Sequence, residues 1–153
     1  MLEIGNGGMT LTEYQSHMSL WAISKAPLII GCDVRNISKE YLEILANSEV
    51  IAVNQDTLGL QAKKIRIDVN NNTEIWSGLL SDGSKVVLAF NRDDSHSRTT
   101  FVSFDELGWP TSTRVHVRDL WLQKDLGEFQ DNYTASDIPS HGVQMLKMTR
   151  LTS

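Results

Sequence analysis

Cysteine is almost missing from this chain of 153 residues: Cys32 stands alone, so no disulfide can close within it. Long apolar runs are missing too. The longest, Ala26–Ile30 and Val86–Phe90, fall far below the roughly 20 residues of a membrane-crossing helix. No cluster of Lys and Arg forms a phosphate-binding stripe, and the formal net charge is −5, which argues against nucleic acid as a partner. The beginning of the chain has neither the basic stretch nor the apolar stretch of a secretory leader, because Gly5, Asn6, Gly7 and Gly8 follow at once. The sequence therefore reads as a cytosolic chain or as one whose natural start lies upstream. No Cys/His set has zinc spacing, no Asp-rich loop has the spacing of a calcium loop, and Gly5–Gly8 is not followed by Gly-Lys-Ser/Thr as a phosphate loop would be. No metal and no cofactor is expected. What is present, 41% hydrophobic and 22% charged residues, suits a soluble globular protein with a core.

The acidic excess is uneven. Residues 1–60 carry seven acids against three bases, and 61–153 carry twelve against eleven, which hints at two modules. The first begins with a glycine-rich loop. Thr12, with Gln15 three positions on, predicts a capping box opening a helix over about 12–25, with Tyr14, Met18, Trp21 and Ala22 at helical spacing. Pro27 ends it. Leu28, Ile29 and Ile30 form an apolar run without alternation that predicts a strand at about 27–31 buried on both faces. Ser38 caps a second helix over about 38–47, with Ile37 stapled to Leu42 and with Leu42, Leu45 and Ala46 facing inward. Val50–Val53 is read as helix. This order is an α/β signature.

From about residue 62 the pattern becomes short β-rich runs between turns. Glu74–Trp76 and Val86–Phe90 flank the turn Ser81-Asp82-Gly83-Ser84. Thr99–Phe104, Arg114–Val117, Asp119–Leu122 and Val143–Met148 predict further strands, so at least five antiparallel strands and no helix over 84–104 are expected. The modules divide as 1–61 and 62–153. Three glycosylation sequons occur, at Asn36, Asn71 and Asn132.

Longer ordered blocks carry more information than any of these patterns. Met1-Leu2-Glu3-Ile4-Gly5-Asn6-Gly7-Gly8-Met9, Leu20-Trp21-Ala22, Lys25-Ala26-Pro27-Leu28, Gly31-Cys32-Asp33-Val34-Arg35 and Val50–Asp56 resemble the late barrel segments of melibiase-type α-galactosidases, glycoside hydrolase family 27. Val117–Trp121 and Ile138–Val143 are similar to that family's C-terminal β domain, and the wording is nearest the plant-type members. Thr57 departs from the pattern, where a proline usually follows the residue matching Asp56.

The resemblance implies an α/β plus all-β fold: the last part of a (β/α)8 TIM barrel, followed by an antiparallel β-sandwich. It implies a retaining hydrolase releasing terminal α-linked galactose from oligosaccharides or galactomannans, with no cofactor, and a secreted, cell-wall, vacuolar or lysosomal location. Retention requires two carboxyl groups roughly 5 Å apart. Both of the family's catalytic aspartates fall upstream of the residue matching Met1, so no catalytic residue is assigned here and the 153 residues alone are expected to be inactive. The rival reading is a non-catalytic carbohydrate-binding or interaction module built on the sandwich. The state of assembly is left open.

Candidate substrate contacts are Met1, which matches a family methionine beside the bound galactose, and Asp33, at the C-terminal face where barrel enzymes place their sites. Each has a plainer alternative, a mobile terminus for Met1 and a loop held through Arg35 or backbone amides for Asp33. Trp76, Trp109 and Trp121 either stack on sugars or fill the core. His17 and Cys32 read as a satisfied helix histidine and a buried structural cysteine, since no third group orients them as a base and a thiol. Residues 12–47 are expected to lack packing surface when the barrel is incomplete.

Overall fold

The computed structural model describes residues 1–151. Its helices are α1 (Leu11–Ile23), α2 (Lys39–Leu45) and α3 (Ser48–Asn54), with a 3₁₀ turn at Val34–Asn36. Eight strands follow among the described residues: β1 (Lys63–Asp68), β2 (Thr73–Leu79), β3 (Lys85–Asn91), β4 (Arg98–Ser103), β5 (Arg114–Asp119), β6 (Lys124–Gln130), β7 (Asn132–Ile138) and β8 (Val143–Arg150). They form a six-stranded sheet in the order β1-β2-β3-β8-β5-β6 and a two-stranded sheet, β4-β7, with every strand pair antiparallel. No helix lies in 84–104.

The six-stranded sheet is covered on both faces, which explains why β3 reads as an unbroken apolar run. Val86 and Leu88 point to the helices, joining Leu2, Ile4, Tyr14, Met18, Ala22, Ile23, Val50 and Val53 in one core. Val87 and Ala89 point the other way, into a second core with Val102, Tyr133 and Ala135 of the small sheet and Val115, Val117 and Leu146 of the large one. The helices thus have a packing partner. Tyr14, Met18, Ala22 and Ile23 are all at most 1% exposed, and α1 rests on β3 and β8. This corrects the expectation of missing packing surface for α1, whereas Ile29, Ile30, Val34 and Leu42 further along the 12–47 stretch are exposed as that expectation implies.

Polar links reinforce the contact. Arg118 pairs with Glu49 at 2.6 Å, Trp121 Nε1 donates to Ser19 Oγ at 2.9 Å, and Asn47 Nδ2 donates to the Leu120 carbonyl at 3.1 Å. His141 bridges Glu13 of α1, at 2.9 Å, and Asp94 after β3, at 3.0 Å.

Four local expectations change. The capping box of α1 is Thr10 with Glu13, not Thr12 with Gln15: the Thr10 hydroxyl accepts from Glu13 N, and the Glu13 carboxylate accepts from Thr10 N. Glu13 reaches back better than Gln15 because it also favours the positive end of the helix. The run at 27–31 is not a buried strand. Ile29 is 55% and Ile30 47% exposed, and among the described residues the run pairs through a single parallel bridge, between Ile30 and Leu2. The expected helices at about 38–47 and at Val50–Val53 are present as α2 and α3, with Asn47 turning its side chain onto Glu49 N and Val50 N to start α3, but the inward face of α2 differs: Ile44 is its buried residue, while Leu42 is 51% exposed. Of the run expected as a strand at Asp119–Leu122, Asp119 ends β5 and Leu120–Leu122 form a turn, since the Asp119 carboxylate accepts from Trp121 N and Leu122 N and folds the chain back on itself.

Candidate functional site

The first ten residues and the 30–36 loop meet at the Leu2–Ile30 bridge, where Leu2 N donates to the Ile29 carbonyl at 2.7 Å. Gly31 permits this approach, because a Cβ there would lie 2.6 Å from the Leu2 carbonyl oxygen. Gly5, at φ 90°, turns the chain past Cys32, whose Sγ would sit 3.1 Å from any Cβ added at Gly5.

Side chains from the helices then fix the glycine-rich loop. The Tyr14 hydroxyl accepts from Gly7 N at 2.8 Å, and His17 Nε2 accepts from Glu3 N at 3.0 Å. Accepting that bond requires a neutral ring, and burial, the largest influence, holds the His17 pKa below its ordinary value. The ring also packs at a tilt of 48° against Trp21, 4.3 Å between centroids. Glu3 spends its carboxylate on Asn6 Nδ2 at 2.8 Å. His17 is therefore a satisfied structural acceptor, and Cys32 is half-buried beside Gly5 rather than fully buried.

Met1 lies at this junction, its Cβ 3.5 Å from where a Cβ on Gly31 would stand, and its side chain is open to solvent. Asp33 is two residues beyond Gly31 on the same loop. Its carboxylate caps the 3₁₀ turn by accepting from Arg35 N at 3.0 Å, and it pairs with the Arg35 guanidinium at 2.6 Å, which holds its pKa below the ordinary value. The structure thus brings Met1 and the Asp33 loop to one rim. It turns the Asp33 carboxylate to Arg35.

The three tryptophans are occupied as structural residues. Trp109 is buried against Phe104, with Lys85 and Arg150 over its ring; Trp76 bonds Glu74; Trp121 bonds Ser19. Asn6, Tyr14 and Tyr41, which packs edge-on to Tyr14 at 5.3 Å, were missed as supports of this loop. The available signal was the loop itself, since a run of glycine amides requires acceptors from neighbouring side chains.

Among the described residues no group of three or more His, Cys, Asp or Glu side chains could hold a metal ion. No helix there is long and apolar enough to cross a membrane. A separate cleft of about 310 Å³ between α3 and the large sheet is lined by Glu49, Asp56, Leu80, Arg118 and Lys147. Glu49 is paired with Arg118 and Lys147 with Asp82, while the Asp56 carboxylate accepts from Ser81 N, Ser81 Oγ and Leu58 N.

Comparison with known proteins places these features. The model of the "Alpha galactosidase C-terminal beta sandwich domain" matches residues 70–148, and that of "Alpha galactosidase A" matches residues 1–56. The chain is 48% identical to alpha-galactosidase 3 of Arabidopsis thaliana, a match covering 99% of this chain and 35% of that protein. It is 47% identical to an alpha-galactosidase of Oryza sativa subsp. japonica, over 97% of this chain and 34% of the relative. The crystal structure of alpha-galactosidase I from Mortierella vinacea superposes with a TM-score of 0.92 at 40% identity, covering 97% of this chain and 38% of that one. The chain thus spans about a third of the length of the relatives it matches. With the chain from β2 onward matched to the C-terminal sandwich and its helices to the other family model, the chain belongs to the melibiase-type α-galactosidase family.

Proposed function

We propose that this chain is the C-terminal part of a retaining α-galactosidase that releases terminal α-linked galactose from oligosaccharides or galactomannans in a secreted, cell-wall or vacuolar setting. In this reading residues 1–61 are the last part of the (β/α)8 barrel and 62–153 the C-terminal sandwich. The catalytic carboxylates are supplied by preceding barrel segments. The observation that carries it is the parallel Leu2–Ile30 pairing, because parallel neighbours joined through a helix, here α1, are the repeating unit of such a barrel. The pairing consists of this bridge and the bond from Leu2 N to Ile29 O, and Met1 and Gly31, which leads into the Asp33 loop, lie beside it.

At that rim the exposed Met1 thioether supplies an apolar surface for a sugar face, and the Asp33 carboxylate, steadied by Arg35, supplies a hydrogen-bond acceptor. Because Arg35 holds Asp33, the role of Asp33 separates into two measurable parts. The chain is grafted after the upstream two-thirds of the rice relative, and Asp33→Asn and Arg35→Gln are compared on a chromogenic α-galactoside. If Asp33 contacts galactose, Asp33→Asn raises KM clearly more than Arg35→Gln does. Equal effects would reduce Asp33 to a loop residue.

A further inference from the structure

The outer face of the small sheet carries an exposed aromatic ring with no role in either core. On β4 and β7, Val102, Tyr133 and Ala135 point inward and are buried, so Phe101 points outward, 52% exposed, directly opposite Thr134. Asn132 lies on the same outward face, opposite Ser103 and diagonal to Phe101. Diagonal neighbours on one sheet face stand about 7–8 Å apart, within reach of a long side chain or an attached sugar. Asn132 and Thr134 are the acceptor and hydroxyl residues of the sequon Asn132-Tyr133-Thr134. We propose that Asn132 is an N-glycan acceptor and that the first N-acetylglucosamine of its glycan rests on the Phe101 ring.

The other two sequons are built differently. The Asn71 amide donates to the Thr99 carbonyl at 2.9 Å, and Thr73 is 1% exposed with its hydroxyl on Thr100. Asn36 ends the 3₁₀ turn, and the Ser38 hydroxyl caps α2. Only at Asn132 do an exposed amide, an exposed hydroxyl residue and an exposed ring share one face. One side of the Phe101 ring carries the Arg66 guanidinium, 4.4 Å from its centroid. Arg66 comes from β1 and is fixed by Glu106 and Thr100, which holds the ring in place; β7, with Asn132, pairs with β4 from its other edge. An ordered aromatic ring presents a π surface to the C–H groups of a pyranose.

Glycan transfer requires a lipid diphosphate-linked oligosaccharide and its transferase. The Asn132 Nδ2–C1 bond forms, the C1–O bond to the diphosphate breaks, the amide gives up one proton, and the lipid diphosphate leaves. The inference rests on the secretory route proposed above, and a supplied leader separates the two questions.

The chain is secreted from a eukaryotic host behind such a leader, and its peptides are weighed. The peptide containing Asn132 should carry an N-glycan, and Thr134→Ala should remove it while leaving Asn132 in place. Asn132→Gln should lower the Tm of the secreted chain by about 2–4 °C, the shift expected when one aromatic contact is lost from a chain of this size. The same substitution should cost little beside Phe101→Ala or the strand-favouring Phe101→Thr, and little in bacterially made protein without glycans. An unmodified Asn132 in the secreted chain overturns the proposal. So does a glycan-dependent Tm shift of the same size with and without Phe101.

Discussion

Met18→Ala tests whether the helices and the strands share one core. Met18 is 1% exposed, in the core that Tyr14, Ala22, Val50 and Val53 build from the helical side and Val86, Leu88 and Met145 from the sheet. Removing a buried methionine to alanine costs about 2–5 kcal/mol, of which alanine's better helix propensity returns only a few tenths in α1. At about 2–4 °C per kcal/mol for a chain of this length, Tm should fall by about 4–20 °C. The assay is thermal unfolding followed in parallel by far-ultraviolet circular dichroism and by tryptophan fluorescence. Trp109 reports the far core and Trp21 the near one. One transition that moves in both signals is expected, because the large sheet contributes side chains to both cores. Loss of the helical signal at lower temperature, with the Trp109 transition unmoved, would refute the shared core.

Three further outcomes follow from single sites. Glu74 is 3% exposed; burial would raise its pKa, but Lys64 and Arg92, each at 2.9 Å, and Trp76 outweigh this and hold it below the ordinary value. Its contribution is therefore present above about pH 4.5 and lost as pH falls through the folded value, and Glu74→Gln should cost about 1–2 kcal/mol at pH 7 and nothing at low pH in urea titrations. His141 is shifted the other way, upward, by Asp94 first and then Glu13, so its stabilisation is complete below about pH 6.5 and disappears as pH rises through the raised value. Wild type should lose Tm across that interval, and His141→Gln should flatten the profile. Gly31→Ala forces a Cβ to within 2.6 Å of the Leu2 carbonyl and should cost about 1–3 kcal/mol, read as faster amide exchange at Leu2, whose N–H bonds Ile29.

Sequence pattern found the elements that bury side chains regularly. Val86–Ala89 was legible because both its faces are covered, and the turn at 81–84 because Asp82 accepts from Ser84 N and Gly83 takes φ 81°. β1, β6 and β7 gave no separate signal. β1 exposes Ile65 and Ile67 at the sheet edge, β6 is the opposite edge, and β7 hides Tyr133 and Ala135 among polar outward residues. Ile29 and Ile30 misled for the opposite reason: an apolar run states what a segment prefers, whereas burial depends on neighbours that the run does not encode. At the candidate site no local pattern singled out Met1 or Asp33. Only the ordered blocks around them did, and Asp33's bond to Arg35 was foreseeable from a spacing of two residues that suits a side-chain cap.

The most direct measurement is galactose release by the chain grafted after the upstream two-thirds of the rice relative, with the parent enzyme alongside. If residues 1–61 complete the barrel and Met1 and the Asp33 loop complete its rim, the graft hydrolyses p-nitrophenyl α-galactoside with retention at the anomeric carbon. A graft that folds with the parent's circular dichroism and Tm, yet releases no galactose, would contradict the account and favour a sandwich module without catalytic duty.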